Sequence, residues 1–362
     1  MFINNLHIIQ FKNIENIQLQ FSKKITFIIG KNGSGKTSIL DAIHTLLCGK
    51  SHFNNLEKYQ IQYNKDFYKI KCKLQDANKQ NNIQCLMQIQ QRKKIWLNEI
   101  LYEKLSLHIG KFPCVIIAPE DINLVNEGSE MRRSFIDFSI SQHDIDYLNK
   151  LIEYNLIIKQ RNALLKLNPN TSPDTTLINT YNTILSNLAN SIFEKRKMFF
   201  DFLNPLFNKY YSFISNEHES VILNFQSQLL TNNLLDLLEA NIQKDIITQR
   251  TNFGIHKDDF SMQIFDNDAR KTASQGQKKS ILIALKLAQY YYIKQQTGKK
   301  PILMLDDIFE KIDETRAAKL FELISNDDFE QILVSDSYEM RYNNGFLIDD
   351  CQTIKIENGL LT

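Results

Sequence analysis

The sequence predicts an α/β nucleotide-binding fold, a mixed sheet with helices, interrupted by a long helical insertion. Three features predict it. A glycine-rich loop joins an apolar, β-branched run to a helical segment near the N-terminus; a buried strand ending in two acids lies near the C-terminus; and between them residues 129–253 contain no glycine.

In chain order, Ile17, Leu19 and Phe21 alternate with Gln18 and Gln20, the pattern of a half-exposed strand. Ile25 to Ile29 reads as a buried strand, and Ile39, Leu40, Ile43, Leu46 and Leu47 recur at helical spacing. Between them, Gly30-Lys31-Asn32-Gly33-Ser34-Gly35-Lys36-Thr37 fits G-x-x-x-x-G-K-[ST] and holds three of the chain's 11 glycines. Glycines let the backbone curl so that its N–H groups converge on an anion, and the helix N-terminus adds partial positive charge. Gly30 to Thr37, with Ser38, therefore form the candidate nucleotide loop. Lys36 would reach the β- and γ-phosphates as a catalytic residue, and the Thr37 hydroxyl would ligate magnesium.

Further on, Phe67 to Leu74 alternates so that Lys69, Lys71 and Lys73 share one face and Tyr68, Ile70, Cys72 and Leu74 the other. Arg92, Lys93 and Lys94 lie beside Trp96, and Lys195, Arg196 and Lys197 form a third cluster; each reads either as a solvated face or as a stripe for nucleic-acid phosphates. Pro113 to Pro119 encloses a buried strand. Tyr147 to Lys166 and Thr175 to Leu203 are helical, broken by Asn168 to Asp174 with Asp174 as N-cap, and more helix extends past Pro205. Strand-like segments resume at Val221 to Phe225 and Phe260 to Phe265. The domains expected are residues 1–125, a helical arm over 126–250, and a second part of the first domain over 251–362.

A long helix from about Gln275 to Gln296 precedes the strand Pro301 to Asp307. Asp306 is placed to ligate magnesium beside Thr37, and Asp307, one position on, to polarise an attacking water. Ser274-Gln275-Gly276-Gln277 opens the long helix. It reads as a simple cap or as a second phosphate site, the latter suited to the nucleotide of a second subunit.

Composition narrows the partners. With 362 residues, 43% hydrophobic residues, a net charge of +2 and no apolar run of membrane-spanning length, the chain reads as a cytoplasmic protein with no membrane partner. The N-terminus lacks the pattern of a secretory signal. Five cysteines without a C-x-x-C pair read as reduced thiols, not as a zinc or disulfide framework.

The order of these motifs resembles ABC-type ATPase heads, in the branch shared with the SMC family, and more specifically the RecF family of bacterial recombinational repair. Phe11-Lys12-Asn13 resembles the family's N-F-R-N opening. Ala118-Pro119-Glu120-Asp121-Ile122, with Gly128 and Arg132-Arg133, resembles P-E-D-L…G…R-R. Lys159 to Lys166 is similar to the arm motif, and Gly254-Ile255-His256-Lys257-Asp258-Asp259 to G-P-H-R-D-D. Ser274 to Gln277 resembles the signature loop and Leu305 to Asp307 the acid pair, with Ile312-Asp313 in the family's order after it. The resemblance implies a P-loop ABC-type ATPase head with an inserted helical arm, using ATP and magnesium. It implies an ATP-induced homodimer in which Ser274, Gln275, Gly276 and Gln277 act in trans, with slow hydrolysis. It also implies binding to DNA at single-/double-strand junctions of gaps, and recombinase loading with mediator proteins in repair, replication and the SOS response. Lys12, Glu120, His256, Lys257 and Asp313 are further candidate site residues on the same grounds.

The chain departs from the pattern in places. Lys12 and Lys257 replace arginines, which weakens any bidentate contact there. Glu120 stands where related heads carry a magnesium-sensing glutamine, Asp307 is a short acid, and Ser335-Asp336-Ser337 lacks the histidine of transporter ATPases. An ABC-transporter subunit is the alternative reading. A nuclease of the overcoming-lysogenisation type would need an acidic metal domain, for which residues 314–362 are too short.

Overall fold

The computed structural model describes residues 1–54, 56–166, 175–215, 221–309, 312–337 and 351–362. Strands β1 (Phe2–Phe11), β2 (Ile14–Gln20) and β3 (Ile25–Ile29) lead into helix α1 (Lys36–Cys48). Next come β4 (Phe67–Asp76), β5 (Lys79–Gln88), β6 (Lys94–Leu97), β7 (Ile100–Leu101) and β8 (Cys114–Ile117). The middle of the chain forms α2 (Asn123–Asn126), α3 (Ser129–Ser141), α4 (Ile145–Lys166), α5 (Thr175–Ser215), β9 (Val221–Gln226), α6 (Leu234–Ala240), α7 (Ile242–Thr248), β10 (Asp259–Ile264), β11 (Asn267–Asp268) and α8 (Ala269–Thr272). The C-terminal part comprises α9 (Gln275–Thr297), β12 (Ile302–Asp306), α10 (Glu314–Ser325), β13 (Ile332–Asp336), β14 (Cys351–Glu357) and β15 (Leu360–Leu361).

Two compact units result. The first takes Met1–Ile122, the end of α5 from Tyr210, and everything from Ser274 onward. It contains two six-stranded sheets. One is antiparallel, in the order β2-β1-β4-β5-β6-β7; the other runs β15-β14-β3-β13-β12-β8 and is parallel from β14 to β8. Every residue of β3, β8, β12 and β13 is buried, as parallel strands covered on both faces require. Helix α1 packs against β1, β4 and β5 of the antiparallel sheet and against β8, β12 and β13 of the parallel one. Of its residues only Thr37 is not buried, which explains a helix that is apolar nearly all round after its first turn.

The second unit takes residues 123–209 and the stretch from β9 to Ala273. It is not purely helical. Strands β11, β10 and β9 form an antiparallel sheet, with Phe260 opposite Phe225 and Met262 opposite Leu223. That pairing carries the boundary expected at 250/251 on to 273/274, because β10 needs β9 as its partner. The insertion also starts at Asn123 rather than 126, and the last turns of α5 belong to the first unit. Helix α5 runs through Pro205 without ending. The N-cap expected at Asp174 lies outside the described residues.

Buried ion pairs organise the second unit. Arg161 Nη1 donates to Asp245 Oδ2 at 2.7 Å and to Thr251 Oγ1 at 2.8 Å, while its Nε donates to Asn182 at 2.8 Å. Arg196 donates to Asp258 at 2.7 Å, Asp137 at 2.8 Å and the Ile255 carbonyl at 2.7 Å. Arg132 holds Asp259 through Nε at 2.6 Å and Nη2 at 3.0 Å. Several residues that carry the family resemblance are thus architectural here: they satisfy buried charge.

Candidate active site

Open α/β sheets bind ligands at the carboxyl ends of their parallel strands, and the candidate residues gather there. The loop Gly30 to Gly35 leaves the end of β3, Asp306 ends β12, Ser335 and Asp336 end β13, and Pro119-Glu120 come after β8. Pairing registers set their level: Asp306 is opposite Ser335, and Asp336 opposite Ile29. The four signals, scattered along the sequence, share one edge of one sheet.

The loop is shaped by its glycines. Gly33 has φ +80° and Gly35 φ +113°, a region costly for other residues. A Cβ at Gly30 would collide with the Ile356 carbonyl oxygen and the Ser34 hydroxyl. Lys36 is buried, and its Nζ donates to the carbonyls of Gly30 at 2.8 Å and Lys31 at 3.3 Å, curled over the loop. Asn13, in the turn between β1 and β2, braces the loop from outside. Its Nδ2 donates to the Gly33 carbonyl at 2.9 Å and its Oδ1 accepts from Ser38 Oγ at 2.7 Å. The Ser38 hydroxyl is thereby committed to Asn13.

Thr37 Oγ1 donates to both carboxylate oxygens of Asp306, at 3.1 and 3.0 Å. Ser335 Oγ donates to Asp306 Oδ1 at 2.6 Å and accepts from the Asp307 N–H at 3.0 Å. Burial pushes the Asp306 carboxyl up to about 6; the Ser335 and Thr37 hydrogen bonds oppose this, and the charges of Asp307 and Glu120 add to it. Asp307 has φ +45°, a left-handed conformation rare for a non-glycine residue and typical of strained functional positions. A hydroxyl and a carboxylate already in contact, beside the start of a helix, are the oxygen donors a magnesium ion takes, and the curled loop fits a polyphosphate. ATP and magnesium therefore fit the residues present. Magnesium bound there would neutralise phosphate charge.

Glu120 belongs to this edge, close enough for its charge to act on Asp306, and the other candidates have partners of their own. Lys12 pairs with the fully buried Asp41 at 2.7 Å, and Asp41 also accepts from Ser51 Oγ and the His52 N–H. Glu120 is exposed, whereas its neighbour Asp121 is buried against Lys286 at 3.1 Å and His52 at 3.0 Å. Burial favours the neutral acid, yet Lys286 and His52 outweigh it and hold Asp121 well below the usual carboxylate range. Ser274 caps α9: its Oγ accepts from the Gln277 N–H at 3.2 Å, and the Gln277 side chain accepts from the Ser274 N–H at 2.7 Å. Gly276 leaves room for Arg316, whose Nη1 would lie 2.8 Å from a Cβ there. Asp313 caps α10 and pairs with Arg316. His256 and Lys257 lie in the second unit. The His256 ring sits between the Tyr154 hydroxyl at 2.9 Å and the Thr251 carbonyl at 3.1 Å.

Sequence reasoning missed Asn13 and Ser335 as site residues. Neither lies in the loop motif, and only the folded pairing brings them to it.

Two basic clusters are smaller than the sequence suggests. Lys93 is buried, donating to the Gly49 carbonyl at 3.0 Å and pairing with Glu57 at 2.8 Å; Arg196 is the buried anchor described above. The β4 stripe is different. Across the antiparallel sheet, Gln18, His7, Lys71, Gln84 and Trp96 form one outward row, and Gln20, Asn5, Lys73 and Asn82 the next. These rows line a groove of about 1130 Å³, bordered also by Thr353 and Lys355 of β14.

Comparison with known proteins agrees with this architecture. The family model described as RecF/RecN/SMC N terminal domain matches residues 2–355. The DNA replication and repair protein RecF of Flavobacterium johnsoniae is 44% identical over 361 residues, covering 99% of this chain and 100% of that protein. The chain belongs to the RecF family. RecF of Parabacteroides distasonis is 37% identical, covering 99% of this chain and 98% of its own. A structure described as the recombination mediator protein RecF-ATP in the RecFOR pathway superposes with a TM-score of 0.89 at 24% identity, covering 99% of this chain and 96% of that one. An SMC head bound to the C-terminal winged-helix domain of ScpA superposes with a TM-score of 0.58 at 16% identity, covering 100% of this chain and 96% of that one. These two likenesses bear on the fold: an ABC-type head of the RecF/SMC kind, with an inserted arm. Among the described residues no helix is long and apolar enough to cross a membrane.

Proposed function

We propose that this RecF-family member is an ATP-operated switch of recombinational and replication-gap repair. The observation that carries the reading is the contact of Thr37 with Asp306, a hydroxyl and a carboxylate suited to magnesium beside the loop of Gly30 to Gly35. Lys36, now held by loop carbonyls, would turn to the phosphates, and the loop N–H groups would cradle them. Asp307 would orient the attacking water. Its strained backbone, its short side chain and the serine in place of a transporter's histidine support slow hydrolysis.

One subunit's loop leaves a nucleotide's outer face open. Ser274 to Gln277, an exposed helix start with its own phosphate-binding character, would suit that face when supplied by a second copy, with Asp313 tied to it through Arg316, which lies against Gly276. ATP would thus close a homodimer. The lysine rows on the antiparallel sheet would then meet the phosphates of DNA, mostly without reading sequence, at single-/double-strand junctions, with mediator proteins assisting recombinase loading in the cytoplasm.

The test is the mass of the protein in solution with ATP and magnesium, with and without gapped DNA, beside Lys36→Met and Ser274→Arg. A dimer that requires ATP, is lost in Ser274→Arg although nucleotide still binds, and raises affinity for gapped DNA supports the switch. A monomer under every condition, without ATP-dependent DNA binding, refutes it and leaves the nucleotide site alone.

A further inference from the structure

The core of the first unit holds a side-chain cluster that the nucleotide chemistry does not use. His44 and Cys48 lie one turn apart on α1, and Cys114 opens β8 opposite them. All three are buried, and one ligand atom from each lies within 4.8 Å of the others. The Cys48 and Cys114 sulfurs are 3.2 Å apart. His44 Nδ1 lies 2.8 Å from the Lys50 carbonyl oxygen, which fixes Nδ1 as the protonated nitrogen and makes Nε2 the ring's acceptor nitrogen. That is how metal-bound histidines are oriented: the second nitrogen donates to a carbonyl while the first ligates.

We propose that His44, Cys48 and Cys114 form a buried site for a thiophilic cation, zinc or copper(I). Thiolate and imidazole ligands select these ions over magnesium or calcium. Two thiolates and a neutral imidazole cancel the charge of zinc, as a buried site requires; a set of three ligand atoms also suits copper(I). Zinc–sulfur bonds of about 2.3 Å place two tetrahedral ligand sulfurs about 3.8 Å apart. The observed sulfurs need to part by only about half an ångström to admit the ion. Binding releases the thiol protons to solvent, with no change of oxidation state.

The site would tie the C-terminal end of the helix that begins with Lys36 and Thr37 to the strand that leads to Glu120. It is independent of the proposed repair function, since it concerns groups that do not touch the nucleotide loop.

The test uses the full, reduced protein under anaerobic conditions. Cobalt(II), the spectroscopic stand-in for zinc, is titrated while thiolate-to-metal absorption is monitored; copper(I) is titrated in competition with bicinchoninate. The expected result is one equivalent of either or both ions bound by the wild type and by Cys351→Ser, and at least tenfold weaker binding by Cys48→Ser and Cys114→Ser, with His44→Asn as a third variant. Circular dichroism establishes that each variant is folded. If none is, the wild type alone decides, through a thiolate-to-metal band that saturates at one equivalent and a melting temperature that rises with added metal. A wild type that binds no metal, or serine variants that bind it unchanged, overturns the proposal.

Discussion

Asn13 stands outside the loop motif, yet it holds the loop at two points, the Gly33 carbonyl and the Ser38 hydroxyl. Its value lies in preorganisation: without it the loop must be ordered by the ligand itself. Asn13→Ala removes two hydrogen bonds at a net cost of about 1–2 kcal/mol, so nucleotide affinity should fall about tenfold with the fold intact. Titration with a fluorescent ATP analogue measures this, and an unchanged affinity would show that the loop holds its shape unaided. His256 makes a different prediction. Burial lowers its imidazole to about 4, and the charges of Lys257 and Arg133 help, against the Thr251 carbonyl. The unfolded chain takes up a proton near 6.5 that the folded chain refuses until about 4. Stability from this group is thus complete above pH 6.5, falls between 6.5 and 4 by at most about 1.4 kcal/mol per pH unit, and levels off below. His256→Gln, which can donate and accept in the same places, should flatten that part of the curve. Urea midpoints at pH 7 and pH 5 give the comparison, and equal slopes for the two proteins would remove His256 as the cause.

Among the elements, the helices of the second unit are joined by charge as much as by apolar packing. Arg196 on α5 reaches Asp137 on α3 and Asp258 before β10, so one side chain links three parts of the unit. Arg196→Met leaves two carboxylates in the interior without their cation and should cost about 3–5 kcal/mol. Lys195→Met, which breaks a half-exposed pair with Asp144, should cost no more than about 1 kcal/mol. Denaturant unfolding separates the two, and equal costs would mean that the buried network carries no special weight. From sequence, Lys195, Arg196 and Lys197 form one basic run; the helical turn that buries the middle residue and exposes its neighbours becomes visible only once the partners of α5 are known. The same distinction governs the site. The loop of Gly30 to Thr37 is legible because its chemistry is local: strand, turn and helix are contiguous. Asp306 is legible because two acids ending an apolar run are unusual in a buried strand. Asn13 and Ser335 are not, since each depends on strand order, β1 over α1 and β13 beside β12. The sheet of the second unit is half-legible. Both β9 and β10 show as strands, but their pairing across the intervening helices moves the boundary to 273/274.

At the scale of the whole molecule, the first unit is assembled from both ends of the chain, and its two sheets have different tasks. The parallel sheet gathers strand ends around the loop, whereas the antiparallel sheet turns outward a face of amides, lysines and one tryptophan beyond the nucleotide chemistry. The burial of Tyr68, Ile70, Cys72 and Leu74 leaves Lys71 and Lys73 exposed, so their neutralisation does not disturb the core. If this face meets DNA, each lysine displaces counterions from the phosphates, and the slope of log K against log salt counts them. Lys71→Gln with Lys73→Gln should shrink that slope by about 1.4 on single-stranded and about 1.8 on duplex DNA. Nucleotide affinity should stay unchanged, because neither residue contacts the loop. Fluorescence anisotropy of labelled gapped DNA across a salt series, with ATP present, gives the slope. A uniform loss of affinity across the series with the slope intact would mean that the substitutions act through the fold or the dimer. An unchanged affinity would move the DNA contact to another face.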